Sequence, residues 1–375
     1  MLPIISKNRG WKGIICQNIK VWYYGDIDDL IIKKLCKKIG KSNNFNLNLF
    51  KKEVIKFKGK FAFIIQKSKN FNIAFVDRIK SVPIFVAKIS KNYRLGNSAS
   101  HLKDKMEANE KCEKSLLSVR MAGYCVGRNT LYKNLLQLLP GELCVIQNKK
   151  IKFSNYYSFI NTKRKNFQTS KSSLSKKFSD LTLSIFQEIL RKHSEKIVVP
   201  LSAGYDSRLI ISALHHLKAK NVICFSYGRK NNFESKIAKH IANKLNYKWH
   251  FIELSNKKQR KNFRSNFYKE YTKFSDTLCS WSYVQDLFAV KELVDSKIIN
   301  SECIILNGNT GDFISGGHLP SLNNKLNSKK DRLNDILNYI LKKHFSLWEN
   351  YFDNKQKITI KKIILENLPK SLNKL

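Results

Sequence analysis

Residues 197–201, IVVPL, form an apolar run without alternation, and it breaks directly into the small, polar stretch SAGYDSR. A strand with one wet face alternates apolar and polar side chains, so an uninterrupted run bounded by turn residues fits a strand buried on both faces. The pattern returns in NVICF (221–225) and CIILN (303–307), with helix-like segments between the runs. The spacing predicts strands at 197–201, 221–227, 249–254 and 303–307, and helices at 208–217 and 233–246. An amphipathic helix precedes them in LSKKFSDLTLSIFQEILRK, with Leu181, Leu183, Ile185, Phe186 and Ile189 mostly along one side. Strands buried on both faces and separated by helices describe an α/β doubly wound parallel sheet.

A different grammar governs 10–157. Short β-rich runs are punctuated by Gly, Asn and Lys, and FAFIIQ followed by NIAFVD reads as a hairpin. Helices near 26–39 and 112–121 would cover the sheet, giving an α+β layered domain. At 375 residues the chain exceeds one ordinary core. The basic, serine-rich SFINTKRKNFQTSKSS (158–173) is taken as a linker between domains over 1–157 and 174–375.

Seventy basic against 28 acidic residues give a formal charge of +42. Such a balance ordinarily signals a polyanionic partner, but the lysines are spread along the whole chain among Asn and Ile, which argues for a solvated basic surface over a nucleic-acid groove. The eight cysteines (16, 36, 112, 125, 144, 224, 279 and 303) include no CxxC pair and no zinc spacing. Free, mostly buried thiols point to a reducing compartment. No run approaches the roughly 18 to 20 apolar residues needed to cross a bilayer, and the N-terminus has no signal-peptide core, so the cytoplasm is the expected location.

Ligands of a parallel sheet bind outside the carboxyl ends of its strands, where each turns into a helix. Residues 202–207 occupy such a turn. Ala203 and Gly204 allow close backbone approach, a helix beginning near Ser207 directs its positive end there, and Ser202 and Ser207 add hydroxyls, so the turn is an anion cradle. Asp206 would repel a bare phosphate and is best explained by a divalent cation between them; the structural alternative is a helix N-cap. CIILNGNTGDFISGGH (303–318) repeats the arrangement with Gly308, Gly311, Gly316, Gly317 and Asp312. Two such loops at one sheet edge would bring Asp206 and Asp312 together as Mg2+ ligands. A third strand end, CFSYGRKNN (224–232), adds Phe225, Ser226, Tyr227 and Gly228 as an edge for a base.

SAGYDS resembles the SGGxDS pyrophosphate loop of the PP-loop, or adenine-nucleotide alpha hydrolase, enzymes, with alanine at the second position. GNTGDFISGGH is similar to the second acidic loop of asparagine synthetases. FKGKFAFII (57–65), VDRIKSVPIFV (76–86) and GRNTLYKNLLQLLPGELCVI (127–146) resemble their N-terminal glutaminase half. The resemblance covers about 10–320. It implies an Ntn-type layered domain followed by a PP-loop domain, with ATP and Mg2+ as cofactors. Ser202, Ala203, Gly204, Tyr205, Asp206 and Ser207 would hold the pyrophosphate, and Phe225–Gly228, Gly308 and Gly311 would line the nucleotide site. Asp206 and Asp312 are the candidate catalytic carboxylates and metal ligands. The implied chemistry is adenylation of a small carboxylic acid, then transfer to ammonia or an amine.

The sequence departs from this family at two places. Its glutaminases use an N-terminal cysteine, whereas this chain begins Met1, Leu2, and Cys16 reads as a core residue in a strand. No glutaminase activity is expected, and the nitrogen would come from free ammonia, another amine or a separate glutaminase subunit. Beyond GGHLP only a lysine-rich helical stretch follows, which reads as a shortened C-terminus. A tRNA-modifying PP-loop enzyme and a non-catalytic nucleotide-binding relative are the alternatives. Glu234, Lys236 and His318 are further candidates near the strand edge. Trp281, Tyr283 and Gln285 are candidates for an acceptor pocket or for core packing, His250 has no assignable face, and His215 and His216 read as helix surface.

Overall fold

The computed structural model describes residues 2–6, 10–40, 45–159, 170–193, 195–309, 311–318, 329–348 and 351–368. The chain divides into two compact units, one of 1–164, 275–281 and 324–375 and the other of 165–274 and 282–323.

The first unit begins with β1 (Lys12–Cys16), β2 (Ile19–Tyr24), α1 (Asp29–Gly40), α2 (Leu47–Val54), β3 (Ala62–Ser68) and β4 (Phe71–Val76). It continues with β5 (Phe85–Ile89), β6 (Asn92–Gly96), α3 (Ala99–Lys103), α4 (Glu113–Ala122), β7 (Leu135–Gln137), β8 (Glu142–Gln147) and β9 (Lys150–Asn155). One antiparallel sheet has the order β1-β2-β3-β4-β8-β9 and a second the order β6-β5-β7. The period-2 geometry of β3 and β4 explains the layering. Phe63, Ile65, Ile73 and Phe75 face α1 and α2, joining Ile32, Leu35, Cys36, Phe50 and Val54 in one core. Ala62, Ile64, Ala74 and Val76 face the other way and pack with Ile84, Val86 and Leu95 of the second sheet. On the outer side of that sheet Phe85 and Ala87 meet Leu102 of α3 and Val119 of α4. The unit is therefore α+β, with the layers helix, sheet, sheet, helix.

Two buried carboxylates fix its turns. Asp77 accepts backbone N–H bonds from Phe61 (3.2 Å), Ile79 (2.9 Å) and Ser81 (3.1 Å), which shapes the turn after β4. Glu142, fully buried, pairs with Arg128 and accepts the Leu139 N–H at 2.9 Å. Cys16 packs half-buried against the first core, beside Cys36. All eight cysteines are free, and Cys36, Cys125, Cys144, Cys224 and Cys279 are buried.

The second unit contains α5 (Lys171–Lys192), β10 (Ile197–Pro200), α6 (Tyr205–His216), β11 (Val222–Gly228), α7 (Phe233–Lys244), β12 (Lys248–Glu253), α8 (Asn256–Phe263) and α9 (Asn266–Ser275). It closes with α10 (Leu287–Asp295), β13 (Ile304–Ile305) and α11 (Gly311–Ser315). Its sheet has the order β12-β11-β10-β13, and all its pairs are parallel. Ile197 and Val199 pack with Ile211 and Leu214 of α6, while Val198 faces Phe225, Ile252 and Phe288, so both faces of β10 are covered. That is the α/β arrangement its unbroken apolar run predicts. Only Phe186 and Leu190 of α5 pack on this core, and Leu181 and Ile185 stay exposed.

The C-terminal helices α12 (Lys329–His344) and α13 (Asn354–Asn367) differ from the expectation of one domain over 174–375. Leu337, Ile360, Ile363 and Ile364 bury against Met121 of α4, so this segment clusters with the first unit. Burial of these aliphatic side chains, worth roughly 1.5–3 kcal/mol each, is the physical reason.

Candidate active site

The cleft is built at the carboxyl ends of β10, β11 and β13. After Pro200 the chain turns tightly, and the Ser207 hydroxyl, 5% exposed, holds the turn. It accepts the Ser202 N–H at 3.1 Å and lies 3.1 Å from the Ser202 hydroxyl, which in turn accepts the Gly204 N–H at 3.1 Å. Both serines thus shape the loop. Helix α6 starts at Tyr205, slightly ahead of the expected position, and its N-cap Gly204 makes no side-chain cap bond. The first-turn N–H groups and their partial positive charge therefore face the loop mouth, with Asp206 in that turn.

The second loop is pressed against the first. A Cβ on Gly308 would lie 2.8 Å from Asp206 Cβ and 3.0 Å from Ser207 N, and one on Gly311 would overlap the Asp206 carboxylate. Gly308 and Gly311 are needed for this close approach; neither has a positive φ. Asp206 and Asp312 line one cleft of about 600 Å3.

Of the candidate residues, Ser202, Gly204, Asp206, Ser207, Phe225, Ser226, Tyr227, Gly308 and Asp312 line the cleft, as do Glu234, Tyr283 and Gln285. Ala203, Tyr205, Gly228 and Gly311 do not form its wall. Tyr205 is 83% exposed with the Arg208 guanidinium over its ring, while Gly228 (φ +135°) accepts the Leu254 N–H where β11 ends. The Ser226 hydroxyl is committed elsewhere, donating to Leu201 O at 2.7 Å and accepting from Trp249 Nε1 at 3.0 Å. Lys236, His250 and His318 are not among the lining residues. Burial lowers the His250 pKa. Trp281 belongs to the other unit, where its N–H meets Gly123 O. His215 on α6 stands edge-on to Tyr247.

Sequence reasoning missed Asp286, Asn232, Ser235, Asn307 and Asn309. The two asparagines flanking Gly308 were available as a signal in NGN. Asp286 carried none, because only the tertiary fold brings the start of α10 to this strand edge. Burial raises the Asp286 carboxyl above its usual range. Tyr227 is pushed up to about 12 by burial and then by the Asp286 charge, and Tyr283 is raised chiefly by burial. The Tyr283 hydroxyl accepts from Asn309 Nδ2 at 2.6 Å.

The charged side chains lining the cleft are Asp206, Glu234, Asp286 and Asp312; among the described residues no lysine or arginine lines it. Asp206 and Asp286 are half-buried and Glu234 and Asp312 exposed, so the cleft carries a negative potential that suits a cation. Among the described residues no three His, Cys, Asp or Glu side chains converge as a self-sufficient metal site. A pair of carboxylates completed by ligand oxygens and water is how Mg2+ is held beside phosphates, and this donor set fits it. A larger cavity of about 760 Å3 lies in the first unit, between Ile31 and Leu35 of α1, Phe57 and a lysine rim. Its Glu53 is already paired with Lys38 and Lys56, and no glycine is among its lining residues. Size alone therefore does not mark the site; convergent chemistry does.

A parallel α/β sheet with polar groups collected at its strand ends is the arrangement in which doubly wound domains bind their ligands. Residues 186–366 match the family model described as asparagine synthase. Among solved structures, the NH3-dependent NAD synthetase from Campylobacter jejuni subsp. jejuni NCTC 11168, in complex with the nitrate ion, is 12% identical. The match covers 52% of this chain and 97% of that one, with a TM-score of 0.29. No curated protein matches the chain. No helix among the described residues is long and apolar enough to cross a membrane.

Proposed function

We propose that the protein is an ATP-dependent amide ligase that adenylates a small carboxylic acid and passes the acyl group to ammonia or an amine. The observation that carries this reading is the contact of two glycine loops that puts Asp206 and Asp312 on one cleft beside the start of α6. In this reading Asp206 and Asp312 would hold Mg2+, which would supply neutralisation of phosphate charge. The backbone N–H groups of the first turn of α6 donate to phosphate oxygens, and the Ser202–Ser207 bond keeps them aimed there. Phe225 and Tyr227 wall the base, and backbone groups at the end of β11 take the hydrogen-bonding role that the committed Ser226 hydroxyl cannot. Holding the acid and phosphate in line is the main contribution of the chain, since proximity lowers the barrier without a protein nucleophile.

The helix–sheet–sheet–helix layering of the first unit supports its reading as a glutaminase-like, Ntn-type domain. Cys16 sits in β1 against the core beside the buried Cys36, a packing role. Nitrogen then enters as ammonia or an amine, free or from a separate glutaminase subunit, in a reducing cytoplasm. ATP–pyrophosphate exchange over a panel of carboxylic acids tests the proposal. Exchange with one acid class supports it, and no exchange with any acid, despite bound ATP, contradicts it.

A further inference from the structure

Beside the cleft lies a recess of about 260 Å3, walled by Tyr271, Tyr283, Leu287 and Val290, with Asp286 and Asn307 as polar groups. Tyr283, Asp286 and Asn307 also line the cleft, so the two spaces share a wall. Asp286 sits at the N-cap of α10, yet its side chain makes no cap bond to that helix. It belongs to no ion pair among the described residues, and neither cavity is lined by a lysine or arginine. A half-buried carboxylate without a cation is costly, and it is offset when a ligand brings the charge. Tyrosine faces attract ammonium groups, and aliphatic walls suit a methylene stem. A carboxylate next to that ammonium would meet no cation here and would face Asp286 directly.

We propose that the recess binds a primary alkylammonium group with no neighbouring carboxylate, and that this organic amine supplies the nitrogen acylated in the cleft. The second half rests on the amide-ligase reading; the ammonium site stands on the recess alone. In the transfer step the bound ammonium gives up one proton to Asp286, which frees its lone pair, and a second to solvent as the amide forms. Its lone pair forms the C–N bond while the acyl C–O bond breaks and AMP leaves with that electron pair.

The test is a ligand-observed NMR titration of the full chain with n-butylammonium, butyrate and zwitterionic norvaline, alongside calorimetry with Mg·ATP. Saturable binding of butylammonium, at least about tenfold tighter than that of butyrate or norvaline, is expected. Asp286→Asn should weaken it by a similar factor. Tyr271→Leu, which removes an aromatic face and leaves the charge, should weaken it less and serves if the first variant does not fold. Equal or tighter binding of norvaline or butyrate overturns the proposal. So does wild-type affinity in a folded Asp286→Asn, or no saturable butylammonium binding. Absence of Mg·ATP binding would instead remove the ligase reading and leave the ammonium result standing.

Discussion

Replacing Gly308 with alanine probes the contact between the two loops. The added Cβ would sit 2.8 Å from Asp206 Cβ, 3.0 Å from Ser207 N and 3.1 Å from Asp206 C. Ordinary contacts lie near 3.5–4.0 Å, so relief requires about 1 Å of separation. Two of the three atoms struck are backbone at the start of α6, and they cannot turn aside as a side-chain end can. Overpacking of this kind costs about 1–3 kcal/mol, and a loop at the cleft rim takes it up as displacement more readily than as unfolding. A 1 Å error in a positioned site costs up to about 100-fold, so Mg·ATP affinity should fall by about 10- to 100-fold, or about 1.4–2.8 kcal/mol. Calorimetric titration with Mg·ATP, paired with a thermal melt by circular dichroism, reads both quantities. Gly13→Ala, whose Cβ meets Trp22 Cδ1 at an ordinary 3.5 Å, is the control and should bind as wild type. An unchanged dissociation constant for a folded Gly308→Ala would refute the reasoning that these loops share one ligand.

Gly311→Ala meets the Asp206 carboxylate itself and should raise the Mg2+ concentration needed for nucleotide binding, measured by titrating Mg2+ at fixed ATP. The burial that raises the Asp286 carboxyl penalises its charged form in the native state. The penalty is complete above the raised value and vanishes as pH falls through it towards the ordinary carboxylate range near 4. Asp286→Asn should therefore be more stable than wild type at neutral pH, with the gap in urea midpoint closing on acidification; a gap that widens would contradict the sign. Arg128→Ala leaves Glu142 as an uncompensated buried carboxylate and should destabilise the first unit by about 3–5 kcal/mol in chemical denaturation.

Particular residues show why some of this was legible and some was not. The run 197–201 revealed a doubly covered strand because burial on both faces removes alternation, and β10 has cores on both sides. Ser202–Ser207 and 308–312 were readable because close backbone approach restricts residue type locally. Helix α5 was readable as a helix but not in its packing: Leu181 and Ile185 continue the apolar stripe yet remain exposed, since periodicity gives a face and not its partner. The allegiance of α12 and α13 to α4 is a long-range choice by Ile360 and Ile364 that no local pattern encodes. Asp286 was invisible for the same reason, as was the role of the Ser207 hydroxyl in bracing its own loop.

Calorimetry of Mg·ATP with wild type, Asp206→Asn, Asp312→Asn and the double variant tests the central claim most directly. If the two carboxylates share one metal–phosphate site, each single substitution weakens binding strongly and the second adds little to the first. Independent, additive losses, or wild-type affinity in either single variant, would contradict the account.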